Sequence, residues 1–332
     1  MNCLAAFLWL ASAPIPGRER ILSPAGPAAH SLANLGWFVL LLSLAVLVVM
    51  WFIIGLVLTR PRGSLSEHAP ADTGGGQKWV LFGGFVFPAL VLAAMYIVGL
   101  DSMSHFPLNR GMNSAAEIRV VGHQWWWELQ YQEGPVHDHF VTANEIHIPV
   151  GRPIDIDLTS DDVIHSFWVP ALHGKVDLIP GVMNRIRIEA SEPGTYRGKC
   201  AEYCGAEHAR MILLVVADTP DRYQKWLANA RTPAVAPQTS YLMQGQQVFM
   251  SSACSLCHMI DGTDAAGTVG PNLTHLASRQ MIGSNLLENN TANLSAWVVH
   301  ARALKPAVIM PNITSLNGDQ LHALVAYLQT LR

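Results

Sequence analysis

The chain has 332 residues, half of them hydrophobic and only 14% charged, with a formal net charge of −3. That length leaves room for about two or three domains. The balance argues against nucleic-acid binding, which needs a basic surface, and points towards a membrane. The five cysteines divide into a solitary Cys3 and the close pairs Cys200/Cys204 and Cys254/Cys257, open to disulfide, ligand or attachment chemistry.

Residues 1–30 form an N-terminal segment. Its first stretch, MNCLAAFLWLASA, ends like a secretory signal, yet no basic n-region precedes it and Pro14 follows it. A cleaved signal and a retained interfacial segment both fit. A hairpin is expected over 31–112. Its two uncharged apolar runs, about 35–58 and 79–100, would reach about 36 and 33 Å as helices, enough to span a bilayer. Pro88 is tolerable in such a helix, where neighbours satisfy the freed carbonyl. Trp37, Trp51, Trp79 and Tyr96 lie towards the ends, where amphipathic rings favour the interface. The connection carries Arg60, Arg62 and Lys78, and no basic residue follows the second run until Arg110. Basic residues near helix ends stay cytoplasmic, so the loop is placed inside and both termini outside, with Arg18 and Arg20 pulling the other way.

From 113 to 218 the pattern turns to short alternating runs such as EIRVVGHQWWWELQY, PIDIDLTS and ILLVVAD, separated by GRP, IPG and EPG turns. This predicts an all-β sandwich or barrel. Residues 219–238, with their Pro- and Ala-rich end TPAVAPQTS, are expected to be linker. Residues 239–332 read as helical, and Asn317 and Gln320 are spaced as a capping box.

In KCAEYCGAEHARM, Cys200, Cys204, His208 and Met211 are all soft-metal donors, and a strand resumes at Ile212. A blue-type copper centre takes one cysteine, two histidines and a weak methionine, and His165 is the candidate second histidine. That leaves Cys200 over. Two thiolates on one loop can instead bridge two coppers, with a histidine terminating each, Met211 weakly on one and the Glu202 carbonyl on the other. A Cys200–Cys204 disulfide, a Cys2His2 zinc site and a merely packed Met211 are the competing readings.

DVIHSFWVP, KVDLIPG, CAEYCGAEHARM and GHQWWWELQY resemble subunit II of haem–copper cytochrome c oxidases, from the helical hairpin to about Ala217. The resemblance implies a cupredoxin-like Greek-key domain carrying a dinuclear CuA centre, with His165, Cys200, Glu202 through its carbonyl, Cys204, His208 and Met211 as ligands. Metal-free quinol oxidases share the fold but lack these ligands. It also implies a magnesium site at the Glu202 side chain shared with subunit I, electron entry at Trp125, and contacts of Lys175 and Asp177 with subunit I. Many members have a carboxylate before the second helix, at a proton channel; GGGQKWVLF has none, so no proton-entry role is assigned.

Cys254, Cys257 and His258 form C-x-x-C-H, the c-type haem attachment pattern: two thiols add across two vinyl groups and the adjacent imidazole falls on the iron. A redox C-x-x-C needs no histidine. Met310, before Pro311, is the expected second axial ligand; Met259 and Met281 are alternatives, but Met259 adjoins His258 and cannot reach the opposite face. The order resembles a class I cytochrome c, an all-α domain whose terminal helices cross, here near Gly245, Phe249 and Tyr327. The whole therefore resembles a caa3-type subunit II with fused cytochrome c. This implies electron flow from covalent haem c to CuA and on to subunit I, where oxygen is reduced. It also implies partners in subunit I, subunit III, membrane lipid and a cytochrome c or bc1-type donor, in a bacterial inner membrane with both redox domains outside. A CuA/haem c carrier for another terminal reductase, such as a nitric oxide reductase, and a copper assembly or storage module are the alternatives.

Overall fold

The computed structural model describes residues 23–60, 76–105 and 116–332. Cys3, the candidate signal and Arg18, Arg20, Arg62 and Arg110 lie outside them. The chain divides into two compact units, His30–Pro107 and the remainder.

The first unit is helical. Helix α1, Pro27–Thr59, and the run made of α2 (Gly76–Leu81), a π turn (Phe82–Val86) and α3 (Phe87–His105) are each long and apolar enough to cross a membrane. Their apolar side chains face outward; Trp51 is 65% and Trp79 80% exposed. Both helices outrun the stretches expected from hydropathy, because hydropathy marks the apolar slab and helix-compatible residues such as His30 and Asn34 extend the backbone past it. The π turn has a local cause. Pro88 has no N–H to give, and the Phe87 N–H bonds the Phe82 carbonyl five residues back.

In the second unit, ten strands form two five-stranded sheets. They are β1 (Ile118–His123), β2 (Trp126–Tyr131), β3 (Phe140–Ala143), β4 (Glu145–Pro149), β5 (Ile154–Ser160), β6 (His165–Trp168), β7 (Val176–Leu178), β8 (Asn184–Ile188), β9 (Gly194–Cys200) and β10 (Ile212–Asp218). The sheet orders are β3-β2-β1-β5-β8 and β4-β10-β9-β6-β7. Pairing is antiparallel except at β1–β5 and β4–β10, where distant segments meet in parallel. Alternate residues face inward, so Val120, Leu129, Ile156 and Ile186 of one sheet share a core with Ile146, Phe167, Tyr196 and Leu213 of the other. Residues just before α1 join this domain: the Ala25 N–H bonds Ala171 O at 2.7 Å, and Ser191 N–H bonds Ala25 O at 2.7 Å.

The stretch expected to be linker begins with a helix, α4 (Pro220–Ala230), carrying Pro at its start and burying Tyr223, Leu227 and Ala230. Those residues, spaced i, i+4 and i+7, present one apolar face, so the extended connection shrinks to residues 231–238. Beyond it lie α5 (Ser240–Ser251), the short α6 (Cys254–Cys257), a hairpin of β11 (Met281–Ile282) and β12 (Leu287–Glu288), α7 (Thr291–Leu304) and α8 (Gly318–Leu328). The Asn317/Gln320 capping box forms in full at the start of α8. Helices α5 and α8 cross so closely at Gly245 that a Cβ there would stand 2.1 Å from Ala323 O. Phe249 and Tyr327 pack beside the crossing with ring centroids 6.4 Å apart.

Candidate metal centre and haem pocket

The end of β9 and the loop running into β10 bring all the donors of the first cluster to one point. Cys200 closes β9, where Phe167 of β6 is its partner, and this pairing sets His165 beside it. Cys200 Sγ lies 3.7 Å from Cys204 Sγ, 3.8 Å from His165 Nδ1 and 3.1 Å from Glu202 O. Cys204 Sγ lies 3.5 Å from His208 Nδ1 and 3.9 Å from Met211 Sδ. The two sulfurs are not bonded to each other, and ions at the usual metal–sulfur distance of about 2.3 Å can touch both. Among the histidines, cysteines and carboxylates of the described residues, His165, Cys200 and Cys204 hold their ligand atoms within 4.8 Å of one another. The imidazoles thus terminate opposite ends of a sulfur pair. That suits two ions sharing sulfurs better than one tetrahedral zinc, and it gives Met211 a place beside the pair.

Electrostatics agree. The Cys204 thiol, with help from His165, draws the Cys200 thiol down to about 4 against the cost of burial. The neighbouring Cys200 and burial then hold Cys204 strongly protonated. A buried pair that resists a second negative charge needs added cations to ionise fully, and metal coordination supplies them. His165 is wholly buried, and its Nε2 sits 2.8 Å from Asp162 Oδ1. The carboxylate keeps the proton on Nε2 and leaves the Nδ1 lone pair facing Cys200. Glu202 points its side chain to solvent, Lys175 is exposed, and Asp177 is part-buried on β7.

Trp125, Trp126 and Trp127 diverge. Trp127 is core, edge-on to Phe167. Trp126 stacks on His123 with centroids 4.5 Å apart. Trp125 donates its indole N–H to the Cys204 carbonyl at 3.0 Å and also lines the cavity of the second cluster.

That cavity is walled by Cys254, Cys257, His258, Pro271, Leu273, Trp297, Met310 and other apolar groups. His258 Nδ1 lies 2.8 Å from Pro271 O, which fixes the ring and leaves Nε2 free; burial also favours its neutral form. A Cβ on Gly270 would stand 2.6 Å from the His258 ring, so the Gly-Pro stretch is moulded to that imidazole. Met310 and Met281 both line the cavity and Met259 does not. Arg279 lines it too, with a buried Nε that has no hydrogen-bond partner. A haem would answer that orphan with a propionate, so the residues present fit the group.

Asp162, Arg279 and Lys305 were missed by sequence reasoning. Asp162 alone left a local signal, a carboxylate three positions before a ligand-type histidine. Lys305 comes from the haem-side domain, is 1% exposed, and reaches the carbonyls of Trp125 (2.8 Å) and Arg210 (3.1 Å).

A cupredoxin-like sandwich with a cysteine-paired donor loop, followed by a helical C-x-x-C-H domain, defines a two-centre electron-transfer protein. The model of the cytochrome c oxidase subunit II periplasmic domain matches residues 137–218, and that of cytochrome c matches 242–332. Cytochrome c oxidase subunit 2 of Alkalihalophilus pseudofirmus is 32% identical over 98% of this chain and 95% of its own length. That of Bacillus subtilis is 26% identical over 94% and 91%. A solved periplasmic domain of subunit II from Bradyrhizobium japonicum is 30% identical, covering 36% of this chain and 96% of its own, with a TM-score of 0.32. The chain belongs to the cytochrome c oxidase subunit 2 family, with a cytochrome c domain fused at its C-terminal side.

Proposed function

We propose that this chain receives single electrons at its C-terminal domain and relays them through its cupredoxin domain to the oxygen-reducing subunit I. When bound, haem c and dinuclear CuA supply one-electron couples with no open coordination position, so oxygen chemistry belongs to the partner. Cys254 and Cys257 would hold the haem by thioethers, each thiol adding across one vinyl group. His258, through Nε2, and Met310 would hold the haem iron. Cys200, Cys204, His165 and His208 would hold the two coppers, with Met211 and the Glu202 carbonyl as weak donors beside them. The exposed Glu202 carboxylate is left for a magnesium ion shared with subunit I, towards which Lys175 and Asp177 would also turn.

The observation that carries this reading is Trp125, which lines the haem cavity and hydrogen-bonds the backbone of Cys204. It joins the two sites by one side chain and one hydrogen bond, and is the residue through which electrons would enter the copper site. Subunit III, lipid and a cytochrome c or bc1-type donor complete the setting, in a bacterial inner membrane with both redox domains outside.

Metal analysis and spectra of the purified chain test this. Two coppers per polypeptide with a mixed-valence signature, beside one covalent haem, are expected. Zinc, or one copper per polypeptide in haem-loaded material, would refute the dinuclear assignment.

A further inference from the structure

The cupredoxin and haem domains meet across a buried polar face that neither motif requires. The β11–β12 hairpin and the end of α7 carry it. Ser284 Oγ–H donates to Trp125 O at 2.7 Å, and Lys305 Nζ donates to the same carbonyl at 2.8 Å and to Arg210 O at 3.1 Å. Asn285 Nδ2 donates to Asn144 O and Ile212 O, both at 3.0 Å. The Gln280 N–H bonds Glu145 Oε2 at 3.0 Å. Ser284, Asn285 and Lys305 are all at most 4% exposed.

Ser284 and Asn285 hold φ of 60° and 64°, directly after Gly283 at 64°. Two consecutive non-glycine residues in the left-handed region persist where surroundings over-determine them. Here both side chains are bonded to the other domain. Lys305 Nζ stands within reach of three carbonyls, the third being Gly283 O at 3.4 Å, so it ties the hairpin and the cupredoxin loops together. The acceptor shared by Ser284 and Lys305 belongs to the residue whose indole bonds the copper loop.

We infer that Lys305, Ser284 and Asn285 form a latch that holds the haem domain on the cupredoxin domain in one closed register, so that electrons cross a fixed contact at Trp125 instead of awaiting encounters on a tether. The electron-transfer part rests on the relay proposed above. One electron crosses and no atom is transferred. The latch residues position Trp125 against the haem pocket, whose wall Ser284 and Lys305 share with it.

The test uses the full chain in membranes, with a protease site inserted within residues 235–238. After cleavage of the wild type, the haem domain should remain bound through washing. In the Lys305→Met/Ser284→Ala double variant, haem and copper contents should be unchanged. Reduction of copper after rapid haem reduction should slow at least tenfold, and cleavage should release the haem domain. Release of the cut wild-type domain would overturn the latch, as would an unchanged rate with retention in the double variant. If the double variant fails to mature, the cut wild type still decides. Retention in a wild type whose copper is never reduced through haem would refute the relay and leave the latch standing.

Discussion

Replacing Asp162 by asparagine probes how the copper site is kept competent. Asp162 Oδ1 sits 2.8 Å from His165 Nε2 and accepts the Val163 N–H at 2.6 Å; Oδ2 accepts the Gln124 N–H at 2.6 Å. An amide keeps only one acceptor oxygen. With that oxygen towards His165, its NH2 meets the Gln124 N–H. Flipped, it meets the Val163 N–H and the Nε2 proton, and can drive that proton to Nδ1, which must stay free. Hydrogen bonds to charged groups contribute about 1.5–3 kcal/mol, and loss of such outer partners weakens metal binding by about 10–100-fold. The Asp162 side chain is 32% exposed, so water softens the change and about tenfold is expected. Titration with a copper chelator, following copper per polypeptide and the CuA absorption, measures it. Unchanged copper retention in Asp162→Asn, alongside loss in His165→Ala, would refute the orienting role.

Cys200→Ser should drop the copper content from two to at most one per polypeptide with the haem intact, as read by metal analysis, because only Cys204 then remains as a thiolate bridge. Gly270→Ala places a methyl 2.6 Å from the His258 ring; overpacking of about 1–3 kcal/mol should displace the imidazole, leaving haem attached but with an altered axial-ligand spectrum. His147, part-buried and hydrogen-bonded to Asp218 and Glu145, overcomes its desolvation to hold a raised pKa. Its stabilising charge is therefore complete below about 6.5, the free value, and is lost as pH rises through the folded value. Melting temperatures across that window should fall in the wild type and stay flatter in His147→Gln. The groups facing it are Glu145, Asp218 with its partner Arg222, Tyr131 and the stacked Trp226.

What could be read from the sequence was what lies close along the chain. Cys200 to Met211 fall on one loop and Cys254 to His258 on one turn, so spacing alone exposed their chemistry. His165 is 35 residues from Cys200; the ligand set of a copper centre called for a second histidine and the family pattern agreed on this one, while the β6–β9 pairing supplies the physical reason. Helix α4 was hidden by its Pro- and Ala-rich continuation, although Tyr223, Leu227 and Ala230 already marked a helical face. Ser284 and Lys305 carried no signal, because a serine or lysine becomes a latch only when another domain's carbonyl arrives. Their partner is Trp125, 159 and 180 residues away.

The connection between the domains sharpens the choice between a tether and a fixed contact. Arg231 donates to Glu133 O at 2.7 Å on the cupredoxin side. The Ala234 N–H bonds Asp261 O at 2.8 Å, and His275 Nε2 lies 3.0 Å from Thr232 O, both on the haem side. With these anchors closed, almost no slack remains. With the haem-side anchors broken, residues 232–239 reach at most about 26–29 Å. For a tethered encounter, effective concentration falls as roughly the −3/2 power of linker length. Ten Gly/Ser residues added within 235–238 would lengthen that free stretch about 2.3-fold and slow an encounter-limited transfer by about 3.4-fold. A closed register predicts no change, since transfer occurs without the linker being drawn out. Rapid-reduction kinetics of the lengthened chain distinguish the two, and a slowing of that size at intact haem and copper content would return the linker to the role of a flexible tether.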